Sequence, residues 1–165
     1  MRPVGKVARA WRMLDRAVDA LCSSMCLGLT AISFVAVICR YVFNSSLTWS
    51  EELTRYMFIW VVFLGAAIGV RERTHIAVDL FAGRLGLRGD AALSWIERLA
   101  TLAFAGFVAI PGWTFVIVGM GNRSAAMEIP MGFVYAAPVV GGLLMAVYVL
   151  RPASTTPRES EAPSR

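Results

Sequence analysis

The chain has 165 residues, of which 58% are hydrophobic and 16% are charged, and its formal net charge is +5. This composition is too apolar for a soluble globular domain and indicates a membrane protein. The basic residues lie in short segments between long apolar stretches rather than on a basic surface studded with aromatic residues, which argues against nucleic-acid binding.

Four apolar stretches have about the length that is needed to cross a membrane. They cover residues 17–43, 53–70, 91–120 and 131–150. About 20 helical residues span the ~30 Å hydrocarbon core of a bilayer. We therefore expect an all-α membrane protein with a four-helix transmembrane domain at residues 17–150. A basic cytoplasmic lead (residues 1–16) precedes it, and a disordered cytoplasmic tail (residues 151–165) follows it.

Lys and Arg are unevenly distributed among the segments outside the spans. They are frequent before the first span, between the second and third, and after the fourth, whereas loops 44–50 and 121–130 together contain only Arg123. The positive-inside rule then places both termini and the middle loop in the cytoplasm. The first span is too long for a signal peptide and no small-x-small cleavage site follows it, so we expect an uncleaved helix.

Polar residues mark the expected helix starts. Ser50 is predicted to cap the second helix, with Glu51 and Glu52 beside the positive end of the helix dipole. Asp90 is predicted to cap the third helix. Between them, residues 74–87 are expected to contain a short interfacial helix.

The second helix has one face that carries charged residues and then small ones. At 100° per residue, Glu51, Arg55, Gly65 and Gly69 fall close to one line. Gly65 and Gly69 form a GxxxG segment, which lets another helix backbone approach closely. Two interpretations remain open: these glycines pack against other helices of this chain, or they dock a separate membrane subunit.

Arg40 is expected near the outer end of the first helix, level with Glu51 and Glu52. A charge at that depth requires a partner. An internal bridge from Arg40 to Glu52 or Glu51 and a contact from this cluster to a partner subunit are both consistent with the spacing.

The sequence indicates no catalytic or metal site. His75 and Asp79 are one helical turn apart, but two ligands without a third make a poor metal site, and hydrogen bonding within the middle loop is expected instead. No Gly-rich phosphate loop, nucleophile elbow or paired-carboxylate site is present. We expect neither a cofactor nor enzymatic activity.

Two alternatives belong to other functional classes. A membrane thiol oxidoreductase would use Cys22 and Cys26, although their spacing is one residue longer than Cys-x-x-Cys. A small stand-alone exporter is disfavoured because residues 27–39, the middle of the first span, contain no ionisable group to bind a cation.

Several segments resemble the small membrane subunit of tripartite ATP-independent periplasmic (TRAP) transporters. They are RYVF at 40–43, LTWSEEL at 47–53, FLGAA at 63–67, HIAVD at 75–79 and IPMG at 129–132. The resemblance implies a bacterial inner-membrane protein that binds a large membrane subunit, which carries the substrate and sodium sites. It also implies a periplasmic binding protein that delivers organic acids, and a scaffolding role for the small subunit.

The candidate interface or structural residues share a place in the second helix, in its flanking turns or in the resembling segments. They are Arg40, Trp49, Glu51, Glu52, Arg55, Gly65, Gly69, His75 and Asp79.

Overall fold

The computed structural model describes residues 4–72 and 86–151, and it describes side chains in residues 8–72 and 95–151. These ranges form four α-helices, which are α1 (Val4–Tyr41), α2 (Thr48–Glu72), α3 (Gly86–Met120) and α4 (Gly132–Leu150). All four are long and apolar enough to cross a membrane. The prediction of an all-α membrane protein with four transmembrane helices is confirmed.

The first helix runs without a break from the basic lead into the first span. Its early turns are rich in Ala, Arg, Leu and Met, which favour helix, and no Gly or Pro falls between Gly5 and Gly28. With 38 residues, α1 is about 57 Å long, well beyond the ~30 Å hydrocarbon core. It is therefore tilted in the membrane or extends beyond its core.

Two predicted helix starts are wrong. Helix α2 begins at Thr48, so Ser50 lies in its first turn, where the hydroxyl donates a hydrogen bond to the carbonyl of Leu47 at 2.7 Å instead of accepting one from a helix N–H. Asp90 lies inside α3, which begins at Gly86. The interfacial helix predicted at residues 74–87 lies outside the described residues, apart from its last two residues, which begin α3.

The helices pack in a row rather than in a closed bundle. Among the described residues, the extensive contacts join α1 to α2, α2 to α4, and α4 to α3. Helix α4 is the most buried of the four, whereas the most apolar stretch of α1 contains no buried residue. The row therefore exposes long apolar faces to whatever surrounds the protein in the membrane.

Two adjacent glycines of α4 bring it close to both neighbouring helices. A Cβ at Gly141 would lie 2.7 Å from the Cβ of Phe63 on α2, and a Cβ at Gly142 would lie 3.0 Å from the carbonyl oxygen of Ala105 on α3. Small residues at such contacts allow van der Waals packing between helix backbones. A core cluster that includes Met145 lies beside this contact.

The row has two distinct ends. At the terminal end, α1 begins and α4 ends, and Asp15 contacts Arg151. At the loop end lie the α1–α2 turn (residues 42–47) and the α3–α4 loop (residues 121–131). Both described chain ends are thus on one side of the molecule.

Candidate assembly surface and its anchoring contacts

Glu52 joins the start of α2 to the α3–α4 loop. Its Oε2 accepts hydrogen bonds from the backbone N–H groups of Ala126 at 2.9 Å and Met127 at 3.0 Å. Its Oε1 accepts a hydrogen bond from the hydroxyl of Tyr56, one turn further along α2. Hydrogen bonds to an ionised carboxylate are stronger than neutral ones. Glu52 thus fixes this loop against α2.

The α3–α4 loop is also closed by its own backbone. Ser124 N–H donates to the carbonyl of Ile129 at 2.9 Å, and Met131 N–H donates to the carbonyl of Asn122 at 2.9 Å. The Ser124 hydroxyl, which is buried, accepts a hydrogen bond from Ile129 N–H at 3.2 Å. The loop therefore presents an ordered surface beside the start of α2.

Arg40, Glu51 and Arg55 are exposed at the loop end, and none of them forms an ion pair with a described residue. Arg40 and Glu51 instead line an open hollow of about 170 Å³ between the end of α1 and the start of α2. The internal bridge from Arg40 to Glu52 or Glu51 is not observed among the described ion pairs, and Glu52 instead contacts the α3–α4 loop. Trp49, 43% exposed, lies in the first turn of α2.

Gly65 and Gly69 lie on a part of α2 that the described chain does not cover. A Cβ added to either glycine would meet no heavy atom within 4 Å. Phe58 and Val62, which share this side of the helix, are 57% and 46% exposed. We call Glu51, Arg55, Gly65 and Gly69 the α2 face. Packing of its glycines against other helices of this chain is not observed among the described residues.

The α2 face continues into an open groove between α2 and α3. The groove has a volume of about 380 Å³, and Gly69 and Ala66 form its α2 side, while Phe104 of α3 and Met145 of α4 also line it. Direct contacts between α2 and α3 are sparse among the described residues, because each of these helices packs against α4. The groove is therefore an apolar recess beside the two glycines.

A cluster of ion pairs lies at the terminal end, and it was not predicted from the sequence. The guanidinium of Arg71 pairs with Asp19 at 2.8 Å and donates to the carbonyl of Asp15 at 3.4 Å. Arg151 pairs with Asp15 at 3.0 Å. These contacts join α1 to the ends of α2 and α4. A usable signal was present, since Asp15 and Asp19 are the only acidic residues in the first 50.

Aromatic rings complete the terminal cluster. The guanidinium of Arg151 lies 4.9 Å from the ring centroid of Trp11, and that of Arg71 lies 6.0 Å from the ring centroid of Tyr148. Such cation–π contacts are favourable and leave the outer edge of each guanidinium open to other acceptors. The cluster therefore joins α1, α2 and α4 at the terminal end of the row.

The remaining candidate residues do not form a chemical centre in the part of the chain that is described. Cys22 and Cys26 are free thiols, with Cys26 exposed. No group of three or more metal-binding side chains occurs among the described residues. His75 and Asp79 lie outside them.

Comparison with known proteins identifies the family. The profile of the tripartite ATP-independent periplasmic transporters, DctQ component, matches residues 29–155. A protein of Haemophilus influenzae named as a TRAP transporter small permease protein is 31% identical over 143 residues, which are 86% of this chain and 89% of that protein. The C4-dicarboxylate TRAP transporter small permease protein DctQ of Rhodobacter capsulatus is 27% identical over 184 residues, and the match covers 92% of this chain and 81% of that protein.

A further relative is a much longer protein. The isethionate TRAP transporter permease protein DctMQ of Oleidesulfovibrio alaskensis is 30% identical over 108 residues, which are 62% of this chain and only 16% of that protein. The match of the family profile covers most of the chain and includes α2, α3 and α4 in full. The chain therefore belongs to the DctQ family of small TRAP transporter components, and it is a multi-pass inner-membrane transport component rather than an enzyme.

Proposed function

We propose that this chain is a scaffold that holds the large membrane subunit of a TRAP transporter against its α2 face. The observation that carries the proposal is the open space over Gly65 and Gly69. By contrast, the space beside Gly141 and Gly142 of α4 is occupied by neighbouring helices of the same chain. A GxxxG pair with no neighbour is a site where a helix of another chain can approach.

Exposed apolar residues alone do not distinguish a protein interface from a lipid-facing surface, because lipid tails are as apolar as Leu. The α2 face differs from a surface that only contacts lipid, because it combines small residues with charged ones. Arg40, Glu51 and Arg55 make no ion pair with a described residue, and charges close to the membrane are costly without partners. Complementary charges on a large subunit would supply those partners.

Small TRAP components work together with large permease subunits, and the relative DctMQ is a permease protein of which the aligned segment forms only a small part. In our proposal the large subunit carries the solute and sodium sites, and this chain contributes no solute site. The middle of α1, residues 27–39, has no carboxylate that would bind a coupling ion.

The proposed solute is an organic acid of the carboxylate type, delivered by a periplasmic binding protein and taken up with sodium. The support is by analogy: a relative is named for C4-dicarboxylates. In this arrangement the loop end faces the periplasm and the terminal end faces the cytoplasm, in line with the distribution of Lys and Arg.

Substitution of Gly69 by Leu tests the docking surface. The tagged chain is purified from native membranes in a mild detergent, and the large membrane subunit is quantified in the eluate. We expect Gly69→Leu to lower its recovery about tenfold, because overpacking a close helix contact costs roughly 1–3 kcal/mol.

Gly106→Leu is the matched control. Gly106 lies on α3, and an added Cβ there also meets no atom within 4 Å. Its variant should recover the large subunit as the unmodified chain does. Equal recovery with Gly69→Leu and Gly106→Leu would show that the α2 face is not the docking surface.

A further inference from the structure

A second groove lies at the terminal end, between α3 and α4, and it combines positive charge with apolar walls. Its volume is about 260 Å³. Arg98 and Arg151 line it together with Trp95, Leu99 and Leu150. Arg98 belongs to α3 and Arg151 follows α4, and none of the described residues that line the groove is acidic.

The groove lies at the boundary between the apolar spans and water. Trp95 lies near the start of the apolar stretch at residues 91–120, and Arg151 is the first residue after α4. Trp is enriched at this level of a membrane, and Arg near a helix end places its charge among the headgroups. Leu99 and Leu150 are 64% and 71% exposed, so the walls face the acyl region directly below.

Contacts within the chain fix the position of Arg151. Its Nη1 donates to both carboxylate oxygens of Asp15, at 3.0 and 3.3 Å, and its guanidinium lies over the ring of Trp11. A guanidinium has five N–H donors. The donors of Arg151 other than those on Nη1 have no acceptor among the described residues, so they remain available to a ligand in the groove.

Arg98 is the second cation of the groove. It is exposed and makes no hydrogen bond or ion pair with a described residue. Its guanidinium can therefore contact an anion that is bound to Arg151 in the groove. Arginine donates two parallel hydrogen bonds to phosphate oxygens, which suits it to this role.

We propose that this groove binds one anionic phospholipid. The phosphate lies between Arg98 and Arg151, and the glycerol backbone and first acyl carbons lie along Leu99 and Leu102. The combination of two cations above apolar walls matches a negatively charged amphiphile, whereas a soluble anion would contact the cations but not the walls. This site is separate from the α2 face and does not depend on the proposed docking role.

Lipid titration of the purified full-length chain tests the site. The chain is prepared in a neutral detergent, phosphatidylglycerol or phosphatidylcholine is added, and bound lipid is counted by native mass spectrometry. We expect phosphatidylglycerol to bind about fivefold more tightly than phosphatidylcholine, and Arg98→Gln to abolish that preference, since one basic residue contributes about this factor near a membrane surface. Arg98→Lys should keep most of it.

Arg12→Gln is the matched control, because Arg12 is an exposed basic residue of α1 outside the groove. It should leave the preference unchanged. An equal loss with Arg12→Gln and Arg98→Gln, or no loss with Arg98→Gln, would overturn the proposal. Displacement of phosphatidylglycerol by an equal concentration of inorganic phosphate or glycerol phosphate would also overturn it, because the site would then bind a soluble anion.

Discussion

The carboxylate of Glu52 connects parts of the chain that are 74 and 75 residues apart. It accepts hydrogen bonds from two consecutive backbone N–H groups of the α3–α4 loop, at Ala126 and Met127. Its neighbour Glu51 is exposed and has no ion-pair partner among the described residues. Adjacent acids thus have different roles, with Glu52 ordering the loop and Glu51 remaining available on the α2 face.

Glu52→Gln should loosen the α3–α4 loop. A glutamine side chain has one acceptor oxygen instead of two and no charge, so it cannot satisfy the hydroxyl of Tyr56 and both loop amides equally well. We expect hydrogen exchange in residues 121–131 to become several-fold faster, measured by mass spectrometry on the detergent-solubilised chain. Glu51→Gln is the control and should leave this exchange unchanged. Unaltered exchange in both variants would contradict the role of Glu52.

At the scale of the helices, glycines on α2 and α4 have different surroundings. Gly141 of α4 contacts Phe63 of α2, whereas Gly65 of α2 faces open space. The glycines of α4 therefore contribute to packing within the row, whereas the GxxxG segment of α2 contacts no other helix among the described residues. The same residue type serves internal packing in one helix and a candidate interface in the next.

Gly141→Ala and Gly65→Ala form a matched pair that tests this difference. The new methyl group at Gly141 would lie 2.7 Å from the Cβ of Phe63 and 3.0 Å from its carbonyl oxygen. We expect this substitution to destabilise the isolated chain by about 1–3 kcal/mol. Gly65→Ala should be neutral or slightly stabilising, because Ala favours helix by up to about 1 kcal/mol over Gly. Thermal unfolding in detergent measures both, and equal melting temperatures would contradict the packing.

At the scale of the whole molecule, the first turns of α1 and the end of α4 lie at one end of the row. Asp15 contacts Arg151 across 136 residues of sequence, and Arg71 joins the same cluster from the end of α2. The cluster joins α1 to the ends of α2 and α4 at the terminal end of the row. The row itself stays open along its length, which leaves the α2 face accessible.

Reporter fusions test which side the terminal end occupies. We expect green fluorescent protein at the C-terminus to fluoresce, because it folds in the cytoplasm, and alkaline phosphatase inserted in residues 121–131 to be active, because it requires the periplasm. The basis is the positive-inside rule. The control exchanges the two reporters, and each should then be inactive. Activity of alkaline phosphatase at the C-terminus would reverse the proposed orientation.

The sequence by itself determined the number of spanning helices, their approximate positions and the family. Spanning length is a local property, because a bilayer offers no water to the backbone and each span must satisfy its own hydrogen bonds within one apolar stretch. The apolar stretches predicted to end at residues 120 and 150 agree with the last residues of α3 and α4 for the same reason. The family motifs were also local, and two of the best defined, LTWSEEL and FLGAA, lie in α2.

Only the tertiary structure decided which residues contact each other. Helix pairing in a membrane depends on shape and small residues rather than on hydrophobicity, since the interior and the lipid are equally apolar. The sequence therefore did not reveal that Gly141 packs while Gly69 stays open, or that Glu52 binds a loop instead of Arg40. Those distinctions require contacts between residues far apart in the chain, and the proposed assembly surface is the part of α2 that these contacts leave uncovered.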